Sequence, residues 1–256
     1  MCEARSGFGG ERRAGRRRVR REARQAQRGE GHERGGAVHN PGSLGQSGGF
    51  ATVTTIDPQD VHAFWFADAA DDPDAAAARQ AWWFRSSAQT DAEIRERFAG
   101  AIEAALRGEL AAWQDAPRPA LALVILCDQL PRNAWRGTAR AFATDPLALR
   151  TARAALAAGH AARLSPVEHS FLLLPFEHSE AIADQDECVR RFTALLADAA
   201  AAWRPMLEGY LAYAEQHREL IARFGRFPHR NRVLGRESTA AELAFLEGGG
   251  ATFGQA

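Results

Sequence analysis

Residues 121–127 read LALVILC, and a helix drawn through them has no polar side. A surface helix keeps its apolar groups on one stripe, so a segment that is apolar all round must be enclosed by other elements. The run is far shorter than the roughly 20 residues that span a bilayer, so the enclosure expected is protein rather than lipid. No stretch elsewhere alternates polar and apolar residues with the two-residue period of a half-buried strand. The expected fold is therefore all-α, a multi-helix array around one buried central helix.

Helix starts are marked by local chemistry. Asp57-Pro58, Asp145-Pro146 and Ser165-Pro166 each pair an N-cap residue with a proline suited to the first helical position. Ser165 with Glu168 and Thr239 with Glu242 have the spacing of a capping box. These signals predict helices near 58–67, 75–86, 90–108, 118–130, 146–158, 166–174, 179–201, 205–224 and 239–246. Within 205–224, Leu207, Tyr210, Ala214, His217, Ile221 and Phe224 fall at intervals of three and four, the stripe of a core-facing side that includes a histidine.

Residues 1–52 differ in kind, with many Arg and Gly and few large apolar groups, and are expected to be disordered. Val53 is the alternative start that would make them translated leader, and a helical domain over 53–256 follows. GQSGG at 45–49 fits the G-x-S-x-G pattern, but it lacks the preceding strand and following helix that such a turn requires. Residues 1–50 hold 11 Arg against 5 Glu, and the net charge of zero leaves the remainder acidic. That acidic body argues against nucleic acid as a partner.

All 32 basic residues are arginine, which removes the lysine-dependent P-loop, kinase and Schiff-base chemistries. Cys2, Cys127 and Cys188 are too few and too scattered for a disulfide framework, so a cytoplasmic location and no membrane association are expected. HExxH, ExxH and CxxC spacings are missing, so no metal site and no cofactor is read from motifs. His169, His178, His217 and His229 could meet only through the fold.

Three segments concentrate groups that are awkward to bury. DQLPRNAWRG at 128–137 leaves the enclosed helix, with Arg132 spaced to pair with Asp128 and Pro131 expected to break or kink the helix, redirecting Arg132, Asn133 and Arg136. PFEHSE at 175–180 places Glu177 beside His178, a pair able to exchange protons. The plainer reading there makes Ser179 the cap of the next helix, with Glu180 at its positive end. RFGRFPHRNRVLGR at 223–236 begins as a helix stop, with Gly225 left-handed and Arg223 answering the helix dipole. Arg226, His229, Arg230, Asn231, Arg232 and Arg236 then crowd one loop, and arginine forks suit phosphate or carboxylate.

Together with WWF at 82–84, the segments LALVILCDQLPRNAWRGTARAFATD at 121–145, LLPFEHSE at 173–180 and HRELIARFGRFPHRNRVLGRESTAAELAFL at 217–246 carry a resemblance. The sequence resembles a largely bacterial family known as domain of unknown function 924, over 56–246. Leu130, where members carry an aromatic, and the additional Arg232 depart from its pattern. The resemblance implies a tetratricopeptide-like superhelical array, although no 34-residue repeat signature is visible. It implies no particular activity.

Two readings follow. In one, the three segments converge on a pocket for an anionic small molecule. Arg132, Arg136, Arg226, Arg230 and Arg236 hold the anion there, Asn133 and Asn231 orient it, and Asp128, Glu177, His178, His217 and His229 are the candidates for hydrolase-like proton transfer. In the other, the helices form a scaffold for a peptide or protein, and the arginines are structural ion pairs.

Overall fold

The structure, a computed structural model, describes residues 56–85 and 87–254. The expectations for residues 1–52, including the GQSGG stretch and the Val53 start, lie outside the described residues. Those described belong to one compact unit, Thr52–Ala256. They form α1 (Pro58–Phe66), α2 (Pro73–Phe84), α3 (Ala88–Leu106), α4 (Pro117–Ala134) and α5 (Asp145–Ala157). After these come α6 (Pro166–Glu177), α7 (Ile182–Asp198), α8 (Arg204–Phe224) and α9 (Ala240–Glu247), with no strand among the described residues.

The all-round apolar helix is central. Every residue of α4 from Ala120 to Ala134 is buried, and α1, α3, α5 and α6 pack against it. Helices α6, α7 and α8 continue from that core in mutual contact. Glu168 shows how cap chemistry becomes packing. It completes the capping box with Ser165, accepts from His62 at 2.6 Å and from Arg118 at 2.9 Å, and so fastens the start of α6 to α1 and α4. Among the described residues no helix is long and apolar enough to cross a membrane.

Four local expectations are corrected. Pro131 does not break α4, which runs on to Ala134. A helical proline deprives the carbonyl four residues earlier of its donor, and here the Thr144 hydroxyl donates to the Cys127 carbonyl at 2.5 Å instead. Pro175 likewise lies inside α6, which ends at Glu177. Asp145 is the first residue of α5 rather than its cap, because Thr144 holds the cap position and the Asp145 carboxylate turns toward arginine. Ser179 does not cap α7, which starts at Ile182 after Ala181; its hydroxyl donates to Asp184, and Glu180 turns to the loop after α8.

The α9 capping box has a measurable pH signature. Glu242 accepts both arms of Arg226, at 2.6 and 2.8 Å, and the Thr239 amide at 2.7 Å. The Arg226 bonds, supported by the Thr239 contacts, lower its pKa from an ordinary 4.5 to about 2. A depressed folded-state pKa contributes stability that is complete above the unfolded value and fades as pH falls through the folded one. Urea unfolding between pH 5 and 2 should therefore show a smaller acid-induced loss for Glu242→Gln than for the parent. Equal losses would show that Arg226 does not hold this carboxylate in solution.

Candidate functional site

The polar end of α4 is as buried as its apolar middle. Asp128, Gln129, Arg132 and Asn133 follow the core residues directly, and continuation of the helix through Pro131 stacks Arg132 one turn beyond Asp128. Asp128 accepts from Gln129 at 2.6 Å, from Arg132 at 3.2 Å and from His178 Nδ1 at 2.8 Å. Burial opposes the charge on Asp128, but the His178 ring and the Arg132 guanidinium outweigh it and hold the carboxyl well below its usual range. Burial and Arg132 lower His178 in turn, while its Nδ1 faces the Asp128 carboxylate and carries the hydrogen of that bond.

A second carboxylate completes this network. Asp145 accepts from Arg132 at 3.0 Å and lies 3.5 Å from Arg230, which donates to the His178 carbonyl at 3.1 Å. Both guanidinium groups also lie over Phe142, at 5.3 and 4.8 Å from its ring centre. Burial, reinforced by Arg132, lowers Arg230 to about 10. Two carboxylates thus face two buried arginines, yet Nε and Nη1 of Arg132 and Nε of Arg230 have no hydrogen-bond partner among the described residues.

Arg132, His178 and Arg230 border a cleft of about 730 Å³. From the first predicted segment it receives Arg132, Asn133 and Arg136, and from α6 and its end Glu177 and His178. Helix α8 adds His217, and the following loop adds His229 and Arg230. Asp128 stands behind His178. The apolar part of its lining comes from Trp83, Phe84, Leu174, Met206 and Tyr210. Residues from all three segments thus line one cleft.

Three predicted ligand-binding residues are placed elsewhere. Arg226 is spent on Glu242, and Arg236 on Glu180 at 2.6 and 3.0 Å and on the Phe227 carbonyl. Asn231 is fully buried, accepting from Arg236 and donating to Ser238. This network shapes the loop that delivers Arg230. Arg136 does border the cleft, but it donates to Asp91 at 3.2 Å and to the Gly254 carbonyl at 2.9 Å. Asn133 donates to the same Asp91 at 3.0 Å.

Glu177 and His217 meet across α6 and α8. His217 Nδ1 donates to the Tyr213 carbonyl at 2.8 Å and lies 3.4 Å from Glu177 Oε1, while Phe253 stacks on the ring at 3.6 Å between centres. Burial, then repulsion from Asp128, raises Glu177 to about 8; burial drives His217 well below its usual value. Burial and the nearby Arg230 lower His229 to about 3. One carboxylate oxygen of Glu177 and one ring nitrogen each of His178 and His217 lie within 4.8 Å of one another, whereas His169 is not in the group. Asp145, Gln129 and Phe253 were missed as site residues in the sequence. Only the position of Asp145 after Arg132 on one connected segment hinted at its role.

No curated protein matches the chain. Among solved structures, a protein of unknown function from Agrobacterium tumefaciens, ATU0120, is 38% identical, with a TM-score of 0.63 over 75% of this chain and 97% of that one. The sequence profile described as "Bacterial protein of unknown function (DUF924)" matches residues 61–250. With that match spanning most of its length, Arg132 and Arg230 included, the chain belongs to the DUF924 family.

Proposed function

We propose that the cleft binds an anionic small molecule through Arg132 and Arg230, with Asn133 and Arg136 at its edge. The observation that carries this reading is the surplus of donors on two buried guanidinium groups bordering one cavity. A buried donor without a partner is costly, and a phosphate or carboxylate would satisfy several at once, in the fork geometry that arginine favours. His178, oriented by Asp128, is the group placed to accept a proton, so the chemistry that fits is hydrolase-like acid–base catalysis. The buried free thiols of Cys127 and Cys188 agree with a reducing compartment, and we place the protein in the cytoplasm.

A thermal-shift series with inorganic phosphate, phosphorylated sugars and di- and tricarboxylates tests this on the full chain. The parent is expected to gain melting temperature with at least one anion, and Arg230→Ala to lose most of that gain. Equal shifts in both proteins would remove Arg230 from the site. No shift with any anion would favour the second reading, a tetratricopeptide-like scaffold for a peptide. That alternative draws on Arg226 and Arg236, whose forks are already filled by Glu242 and Glu180.

A further inference from the structure

We propose that Glu177, His178 and His217 form a binding site for a divalent transition-metal ion of the zinc type, open to the cleft. One ligand atom from each already lies within 4.8 Å of the others. Ligand atoms around a tetrahedral zinc, bonded at 2.0–2.2 Å, stand roughly 3.4 Å apart, so the triangle must contract modestly. Two imidazoles and a carboxylate suit zinc, cobalt or ferrous iron rather than magnesium or calcium, which prefer oxygen throughout.

Three further features support the assignment. Metal-bound histidines commonly give the second ring nitrogen to a carboxylate or backbone carbonyl. Here His178 Nδ1 is held by Asp128, leaving its Nε2 without a hydrogen-bond partner among the described residues, while His217 Nδ1, which donates to the Tyr213 carbonyl, is also the nitrogen 3.4 Å from Glu177 Oε1. Phe253 stacks on His217 and fixes its plane. The charge balance is the third. Asp128 and Asp145 answer Arg132 and Arg230, which leaves Glu177 with Oε2 unpartnered and Oε1 3.4 Å from His217 Nδ1. Among the described residues no arginine bonds Glu177, and a bound cation would take the place of its proton.

The proposal uses the same cleft as the anion reading but different side chains. With the ion bound, His178 becomes a ligand and a coordinated water takes over the acid–base role, since zinc lowers the pKa of its water to about 7. An anion held by Arg132 and Arg230 would then lie beside the open coordination position.

The test is cobalt titration of the chelator-treated full chain, read by visible ligand-field absorption and by bound metal after gel filtration, with zinc as competitor. The parent should bind cobalt stoichiometrically and release it to zinc. Glu177→Gln and His217→Ala should each weaken binding roughly tenfold or more, while His229→Ala, on the same cleft but outside the triangle, should bind like the parent. Far-UV circular dichroism reports folding; if His217→Ala does not fold, the near-isosteric Glu177→Gln decides. No cobalt or zinc bound by the parent, or parent-like binding by Glu177→Gln, overturns the assignment. The Arg230→Ala anion shifts are measured without metal, so either proposal can fail alone.

Discussion

Asp128→Ala is expected to cost about 3–5 kcal/mol of folding stability, the range for removing one partner of a buried ion pair. The carboxylate is fully buried and is the shared acceptor for Gln129, Arg132 and His178. Its loss leaves Asp145 as the single carboxylate bonded to Arg132 and near Arg230, so two buried guanidinium groups compete for one partner. An exposed pair such as Arg97–Glu93 has a different scale: water screens it, and its removal should cost at most about 1 kcal/mol. Urea unfolding of the two single variants, Asp128→Ala and Glu93→Ala, separates these regimes. Asp128→Asn retains the shape and part of the bonding, and should fall between Asp128→Ala and the parent. A loss below about 1 kcal/mol for Asp128→Ala would mean that water enters the network and that its arginines are not starved of partners.

How much of this site could be read in advance follows from where its partners lie. Caps are local, so Asp57, Ser165 and Thr239 mark the starts of α1, α6 and α9 within a few residues of the groups they bond. The enclosure of α4 is equally legible, because an apolar run leaves only one environment open to it. Pro131 misleads because the donor that compensates for it comes from Thr144, on a segment whose position only the fold determines. Asp145 misleads in the opposite direction: an acid before proline resembles a cap, while its carboxylate in fact serves arginines from α4 and from the loop after α8.

The same distinction explains the arginine-rich loop. Its sequence shows an excess of positive charge with no acid between Arg223 and Arg236, and that excess looks like a ligand site. Glu180, from before α7, and Glu242, from α9, neutralise Arg236 and Arg226 in space, leaving Arg230 as the loop's guanidinium that borders the cleft. The approach of Glu177 to His217 likewise depends on α6 packing against α8, a contact with no signature in the spacing of either residue.

Phe171→Ala should match the Asp128 loss, at about 3–5 kcal/mol, by a mechanism without charge. The Phe171 ring is fully buried and has Trp65, Phe66, Trp83, Phe84 and Tyr210 around it, with ring centres 4.9 to 6.3 Å away. Trp83 also donates to the Trp65 carbonyl at 2.8 Å, where Arg79 donates as well, so α2 is bonded to the end of α1 beside this cluster. Deleting the ring removes contacts on several sides, and the anchored tryptophans cannot all move in to fill the space. Phe171→Leu, which leaves a smaller void, should cost less. Trp83, Phe84 and Tyr210 are at once neighbours of Phe171 and the apolar wall of the cleft. The alanine variant should therefore weaken any ligand that uses that wall, even at temperatures where the protein remains folded. Urea unfolding gives the stability loss, and anion-induced thermal shifts measured on the same variant give the effect on the cleft. A large stability loss with undiminished shifts would place the bound anion wholly at the arginine end, with no part of it resting on the aromatic wall.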